Sequence, residues 1–148
     1  MPAQMVFIAH GHDSAALRDL ELLLQSVGLH PIILSKQDCL GKTIIECFEF
    51  YAAQCVYAFA ILTPDDKQAQ DLEGRDKWRA RQNVLMEAGW FMGRLGRERV
   101  ALLHKGDVEL PSDLLGVIYL PFRQSIYEVA EQIKQRLRGQ RLLNAGVA

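Results

Sequence analysis

Cys55-Val56-Tyr57-Ala58-Phe59-Ala60-Ile61-Leu62, followed at once by Thr63-Pro64-Asp65-Asp66, is the most apolar run in the chain. A stretch of that length with no polar alternation suits a strand buried on both faces, and the proline-containing turn ends it. Toward the N-terminus, Met5-Val6-Phe7-Ile8-Ala9 is a second such run, closed by the loop and helix-cap residues His10-Gly11-His12-Asp13-Ser14. Leu17, Leu20, Leu23, Leu24 and Val27 then recur at helical spacing, and Gly28 stands where a C-terminal cap is expected. Pro31-Ile32-Ile33-Leu34 supplies another strand. The polar loop Ser35 to Lys42 follows it, and Thr43 to Gln54 reads as a helix with Ile44, Ile45, Phe48 and Tyr51 at its apolar positions.

Toward the C-terminus, Lys67 to Lys77 is charged and non-periodic and reads as an exposed loop. The central helix is expected from Trp78 to Leu95, ended by Gly96. Arg99 to His104 reads as a fourth strand, Val117 to Leu120 as a fifth, and Ile126 to Leu137 as a closing helix. The domain is placed at residues 1–138, and residues 139–148, which carry no strong pattern, read as a flexible tail or the start of a linker. Continuous apolar strands alternating with helices imply a parallel sheet covered on both faces. The expected fold class is α/β, a flavodoxin-like, doubly wound, five-stranded parallel sheet of strand order 2-1-3-4-5. Its ligand crevice lies beyond the carboxyl ends of the strands. That edge gathers the His10–Asp13 loop, the Ser35–Lys42 loop and the Thr63–Asp66 turn, with the central helix starting close behind.

The chain has 148 residues, of which 49% are hydrophobic, enough for one domain with a proper core. Seventeen basic against eighteen acidic residues give a net charge of −1, so no positive field exists to gather nucleic acid or an anionic membrane. The run Val56 to Leu62 is far too short to span a bilayer, and no basic segment with an apolar run opens the chain. A soluble, cytoplasmic protein is the expectation. Cys39, Cys47 and Cys55 lack the paired spacing of a zinc site and read as reduced thiols.

On the central helix, Val84, Ala88, Phe91 and Leu95 form one apolar stripe, while Arg79, Asn83, Met86 and Trp90 gather on another side. Glu87 falls between the two. A carboxylate at such a seam is partly desolvated, which raises its pKa and suits it to act on a cation or a proton; an ordinary solvated helix residue fits the same pattern. His10 and His12 make a poor metal signal, and no metal site is expected. Gly11 lets backbone approach a ligand, whereas Asp13 or Ser14 caps a helix. There is no GxGxxG or Walker sequence. Lys36, Lys42, Arg79 and Arg81 suit phosphates in a crevice of helix N-termini, and each also fits a solvated surface. Trp78 and Trp90 suit either stacking on a base or packing.

The motifs VFIAHGHD at Val6–Asp13, LTPDD at Leu62–Asp66, RARQNVLMEAG at Arg79–Gly89 and LGRERV at Leu95–Val100 closely resemble those of bacterial TIR-like domains of the predicted nucleotide-binding type. The likeness continues through Lys105–Asp113 and Gly116-Val117 and covers the chain to about Leu137. Members of this group are effectors of cyclic-nucleotide-activated anti-phage systems, commonly fused to STING or another nucleotide sensor. The resemblance implies cleavage of NAD⁺, as substrate and not as cofactor, to nicotinamide and linear or cyclic ADP-ribose. It makes Glu87 the catalytic residue, stabilising an oxocarbenium-like state. It implies substrate binding by Phe7, His10, Gly11, His12 and Asp13, by Ser35, Lys36, Gly41 and Lys42 of a gating loop, by Thr63 and Asp65, and by Arg79, Asn83 and Trp90. Self-association through TIR–TIR contacts and a cyclic-nucleotide sensor partner belong to the same expectation. Two other readings stand beside it: a non-catalytic TIR-type nucleotide-binding or interaction module, and, more weakly, a nucleoside deoxyribosyltransferase-like enzyme.

Overall fold

The computed structural model describes residues 2–114 and 119–144. Its main sheet is parallel throughout, built from β1 (Met5–Ala9), β2 (His30–Ile32), β3 (Tyr57–Leu62), β6 (Val100–Lys105) and β7 (Tyr119–Phe122) in the order β2-β1-β3-β6-β7. With the small second sheet set aside, this is the expected order 2-1-3-4-5. The helices α1 (Ser14–Ser26), α2 (Ile44–Ala52), α3 (Gln82–Leu95) and α4 (Ala130–Gly139) alternate with the strands.

The two-residue period of the strands divides the core into two layers. On one face Val6, Ile8, Tyr57, Phe59, Ile61 and Leu103 pack with Leu20 and Leu24 of α1 and Ile133 and Leu137 of α4. On the other, Phe7, Ala58, Ala60, Leu62 and Leu102 pack with Phe48 of α2 and Val84, Ala88 and Phe91 of α3. Ala58 and Ala60 present only methyl groups to this second layer, which leaves room for the aromatic side chains that fill it. All six side chains of β3 are buried, as its uninterrupted apolar composition requires.

Three helix boundaries follow from local chemistry. Asp13 caps α1 by accepting the Ala16 N–H at 3.0 Å. At the start of α2, Thr43 Oγ1 accepts the Glu46 N–H at 3.3 Å while Glu46 accepts the Thr43 N–H at 3.2 Å, a reciprocal capping box. Gly96, at φ 89°, stops α3 in a conformation that a side chain disfavours.

Several expectations are corrected. The central helix begins at Gln82, not Trp78, because Lys77–Arg79 pairs as strand β5 with β4 (Asp66–Gln68) in an antiparallel hairpin. The exposed loop expected over Lys67–Lys77 is therefore confined to residues 69–76, with Lys67, Gln68 and Lys77 in the strands. Its turn is ordered by Asp71, whose Oδ1 accepts the N–H groups of Glu73 and Arg75, each at 2.9 Å. In α2 the buried residues are Cys47, Phe48 and Ala52, while Ile44 and Ile45 are 80% and 46% exposed, so the buried face is rotated away from the first turn. Cys39 and Cys47 form a disulfide instead of remaining thiols; nothing in their spacing announced that the loop folds back on α2. Cys55 is free and buried, and that burial pushes its thiol up to about 12. The fifth strand runs on to Phe122; Val117 and Ile118 lie outside the described residues.

Leu142 and Leu143, assigned from the sequence to an unpatterned tail, turn back after α4 and join the core layer beneath α1 and α4. Leu142 N–H donates to Leu137 O at 2.9 Å, which fixes the turn. Replacing Leu142 or Leu143 with alanine is expected to lower the unfolding free energy by about 2 kcal/mol each. Urea denaturation followed by circular dichroism measures it.

Candidate functional site

The carboxyl ends of β1 and β3 are joined by one side chain. Asp65 Oδ2 accepts the His12 N–H at 3.1 Å, and its Oδ1 accepts the Thr63 hydroxyl at 2.8 Å. Thr63 is itself buried. Gly11 is required here because a Cβ at position 11 would collide with the Asp65 carboxylate. His10 Nδ1 lies 2.9 Å from Gly11 O, so its ring is folded onto its own loop. Asp13 is committed twice, to the α1 cap and to Lys105 Nζ at 2.6 Å. Burial acts to raise its pKa, but Lys105 and the Ala16 N–H outweigh it and hold the carboxyl below its ordinary value. Of the HGHD residues, His12 is the one whose side chain is exposed.

Phe7 does not reach this surface. It is fully buried, with its ring centroid 5.4 Å from that of Phe48 and 5.0 Å from that of Phe91, so its role is packing. Trp90 is also largely a packing residue: it lies 5.3 Å from Phe48 and 5.0 Å from Phe91, and thereby sets α3 against α2. Asn83 stands exposed in the first turn of α3, one helical turn before Glu87 and on the same flank.

Glu87 lies at the edge of the buried stripe formed by Val84, Ala88 and Phe91. It is half-buried and has no hydrogen-bond or ion-pair partner among the described residues. Burial pushes its pKa up to about 7, with the Arg81 guanidinium pulling the other way. The seam position expected from the helical period is borne out in these terms. A carboxylate so placed is close to half-ionised at neutral pH, and it is free to take a partner that the folded chain does not supply.

The predicted site residues do not form one cluster. Arg79 sits on β5, not on the α3 flank with Asn83; its guanidinium meets Glu109 Oε1 at 3.0 Å. That pair borders a cavity of about 510 Å³ between the hairpin, Gln82 and Leu85 of α3 and the Pro111–Asp113 segment. The cavity lies on the flank of α3 away from Glu87, since Leu85 and Glu87 are two positions apart on the helix. Lys36 is paired with Glu21 of α1 at 2.9 Å, and Ser35 belongs to the same short helical turn. Gly41 and Lys42 are exposed in the loop before α2, with Lys42 Nζ 3.8 Å from the centroid of the Phe50 ring. Among the described residues, no group of three His, Cys, Asp or Glu side chains is placed to hold a metal ion, and no helix is long and apolar enough to cross a membrane.

The sequence reading missed Lys105 as the partner of Asp13, the Asp65 clamp as a tie between loops, and the hairpin. Turn chemistry at Asp71 and Gly74 between two short polar segments was the available signal for the hairpin. Ion pairs across 92 positions of sequence, such as Asp13 with Lys105, leave no local signal.

The family model described as "CAP12/Pycsar effector protein, TIR domain" matches residues 5–124. The chain is 44% identical over 117 residues to uncharacterized protein YuaY of Escherichia coli (strain K12), covering 79% of this chain and 39% of YuaY. It is 30% identical over 138 residues to protein tirC of Dictyostelium discoideum, covering 86% and 69%. Pycsar effector protein PaPycTIR of Pseudomonas aeruginosa shares 42% identity over 81 residues, which are 53% of this chain and 26% of that protein. The match thus spans well under half the length of YuaY and of PaPycTIR.

Gly11→Ala is expected to displace Asp65, strand the His12 N–H and cost about 1–3 kcal/mol of stability by chemical denaturation. Glu87 makes a second prediction with a defined sign. Its carboxyl titrates at about 7 in the folded chain against an ordinary 4.5, so the unfolded chain releases this proton first. The resulting penalty is absent below the lower value, grows as pH rises between the two, and is complete above the upper one. Glu87→Gln should therefore raise the melting temperature at pH 8, by a stabilisation of about 2 kcal/mol, and leave it unchanged at pH 4.

Proposed function

Because the chain belongs to the family of TIR domains of CAP12/Pycsar effector proteins, we propose that it is an NAD⁺ glycohydrolase of anti-phage defence. The observation that carries the reading is Glu87: an unpartnered, half-buried carboxylate titrating near neutrality at the seam of α3. NAD⁺ hydrolysis breaks the bond between C1′ of the ribose and the nicotinamide nitrogen. Positive charge leaves the nicotinamide ring and builds on the ribose, so nicotinamide departs neutral and needs no general acid. The Glu87 carboxylate opposes that developing charge from a site with reduced solvent, where an electrostatic contact is stronger than in water. Water then adds at C1′, and one proton is released with ADP-ribose. A carboxyl only about half-ionised at neutral pH in the empty site ionises more readily once a cationic ring is bound beside it.

Asn83 and Arg81 flank Glu87 toward the helix start, and His12 lies exposed on the loop clamped by Asp65; these are the proposed substrate contacts. Phe7 and Trp90 act through packing instead, and Asp13 through the α1 cap. We place the protein's activation in self-association, supported by the exposed apolar side chains of Leu40, Ile44, Ile45 and Phe50 around the start of α2. The same surface would serve a TIR module that assembles without catalysis. A cyclic-nucleotide sensor, as a further domain or separate protein, is the proposed trigger.

Incubation of dilute and concentrated protein with NAD⁺, followed by chromatography of nicotinamide and ADP-ribose, decides between the two. Release per molecule should climb with protein concentration, and a folded Glu87→Gln variant should lose at least about 100-fold, the scale of one removed transition-state contact. Wild-type activity in that variant would sink the assignment. The pH profile is a separate check: kcat/KM should rise with pH through an inflection near 7, because the ionised carboxylate is the working form.

A further inference from the structure

The loop between Lys36 and α2 is held by α2 itself, through three side chains. Tyr51 Oη donates to Asp38 O at 3.0 Å, Lys42 Nζ lies over the Phe50 ring, and Cys39 is bonded to Cys47. The first two contacts face solvent and are weak. Leu40 is 81% exposed, and Gly41 and Lys42 are exposed as well, so no packing holds the tip of the loop. The disulfide is therefore the one strong tether between this loop and the helix. Its two sulfurs differ in access: Cys39 is half-buried at the surface, whereas Cys47 is fully buried beside Phe48. Through Phe48 and Trp90 the same helix packs against α3, whose neighbouring flank carries Glu87.

We propose that Cys39–Cys47 is a reversible thiol-exchange site for a dithiol reductant, and that its state decides whether Asp38–Lys42 is clamped on α2 or free to move beside the Glu87 flank. The exchange balances without any other reactant. A thiolate of the dithiol attacks Cys39 Sγ from solvent, and the disulfide bond breaks with its electron pair going to Cys47. Cys47 takes a proton, since a thiolate is disfavoured in the apolar layer. The second thiol of the reductant then attacks its own partner sulfur, closing the reductant's disulfide and releasing Cys39 as a thiol. Reoxidation reverses these steps with an oxidised dithiol. Cys55, the third cysteine, does not compete, because burial keeps its thiol protonated.

The control of activity rests on the proposed NAD⁺ reaction; the clamp does not. The whole chain, purified without reductant, is compared before and after dithiothreitol by brief trypsin digestion, with cleavage after Lys42 followed by mass spectrometry. The reduced chain should be cut at least about tenfold faster there, as expected for a segment released to open locally. Cys39→Ser and Cys47→Ser should be cut at the fast rate with or without dithiothreitol, and native alkylation by iodoacetamide should reach Cys39 only after reduction. Equal cleavage rates in both states, or ready alkylation of Cys39 without reductant, would overturn the clamp. Nicotinamide release by concentrated protein should rise severalfold on reduction and ignore dithiothreitol in Cys39→Ser. A cleavage response with no nicotinamide in either state leaves the clamp standing and removes the NAD⁺ reading. The reverse pattern, steady release with no cleavage response, removes the clamp alone. A cleavage response with an unchanged rate of release overturns the loop's control of the Glu87 flank.

Discussion

All six side chains of β3 are buried, half against α1 and α4 and half against α2 and α3, and the rest of the molecule is arranged to make that possible. A strand apolar on both faces is stable only where both are covered, which calls for helices on each side and parallel neighbours joined by crossovers. The carboxyl ends of β1 and β3 then meet at one edge, where Asp65 ties the loop after β1 to the end of β3. Without the central strand there would be no common edge for these loops to share.

Against that background Glu87 is the exception that the fold tolerates. Its helix is held by Val84, Ala88 and Phe91, and the carboxylate is carried to the margin of their stripe with no hydrogen-bond or ion-pair partner among the described residues. Burial that Arg81 only partly offsets is destabilising, and it is also what brings the carboxyl to neutrality, where it can respond to a cationic substrate. Stability and chemistry thus pull in opposite directions at one residue. Asp13 shows the contrary case: buried to a similar end, it gained Lys105 and a helix cap, and its chemistry is spent on structure.

The loop before α2 differs from the edge around β1 in how it is secured. Asp65 clamps its neighbours by two hydrogen bonds that any change of Gly11 would disturb, while Asp38–Lys42 depends on a covalent bond with one sulfur near the surface. One loop is built to stay and the other can be released.

Periodicity alone determined much of this protein. Uninterrupted apolar runs specified a parallel α/β sheet, and the repeat of Val84, Ala88 and Phe91 put Glu87 at a seam, because both are properties of neighbours in sequence. Resemblance of linked motifs added the family and the chemistry expected of Glu87. Other features involve partners far apart in the chain, and only the tertiary structure decided them. The pairing of Asp66–Gln68 with Lys77–Arg79 took Arg79 off the helix. The packing of Phe48 drew Phe7 into the core and set Trp90 against its edge, the fold-back of the loop joined Cys39 to Cys47, and the turn after α4 buried Leu142 and Leu143. A polar hairpin, a long-range ion pair and a cross-loop bond have no period, and their energies depend on which surfaces the fold brings together.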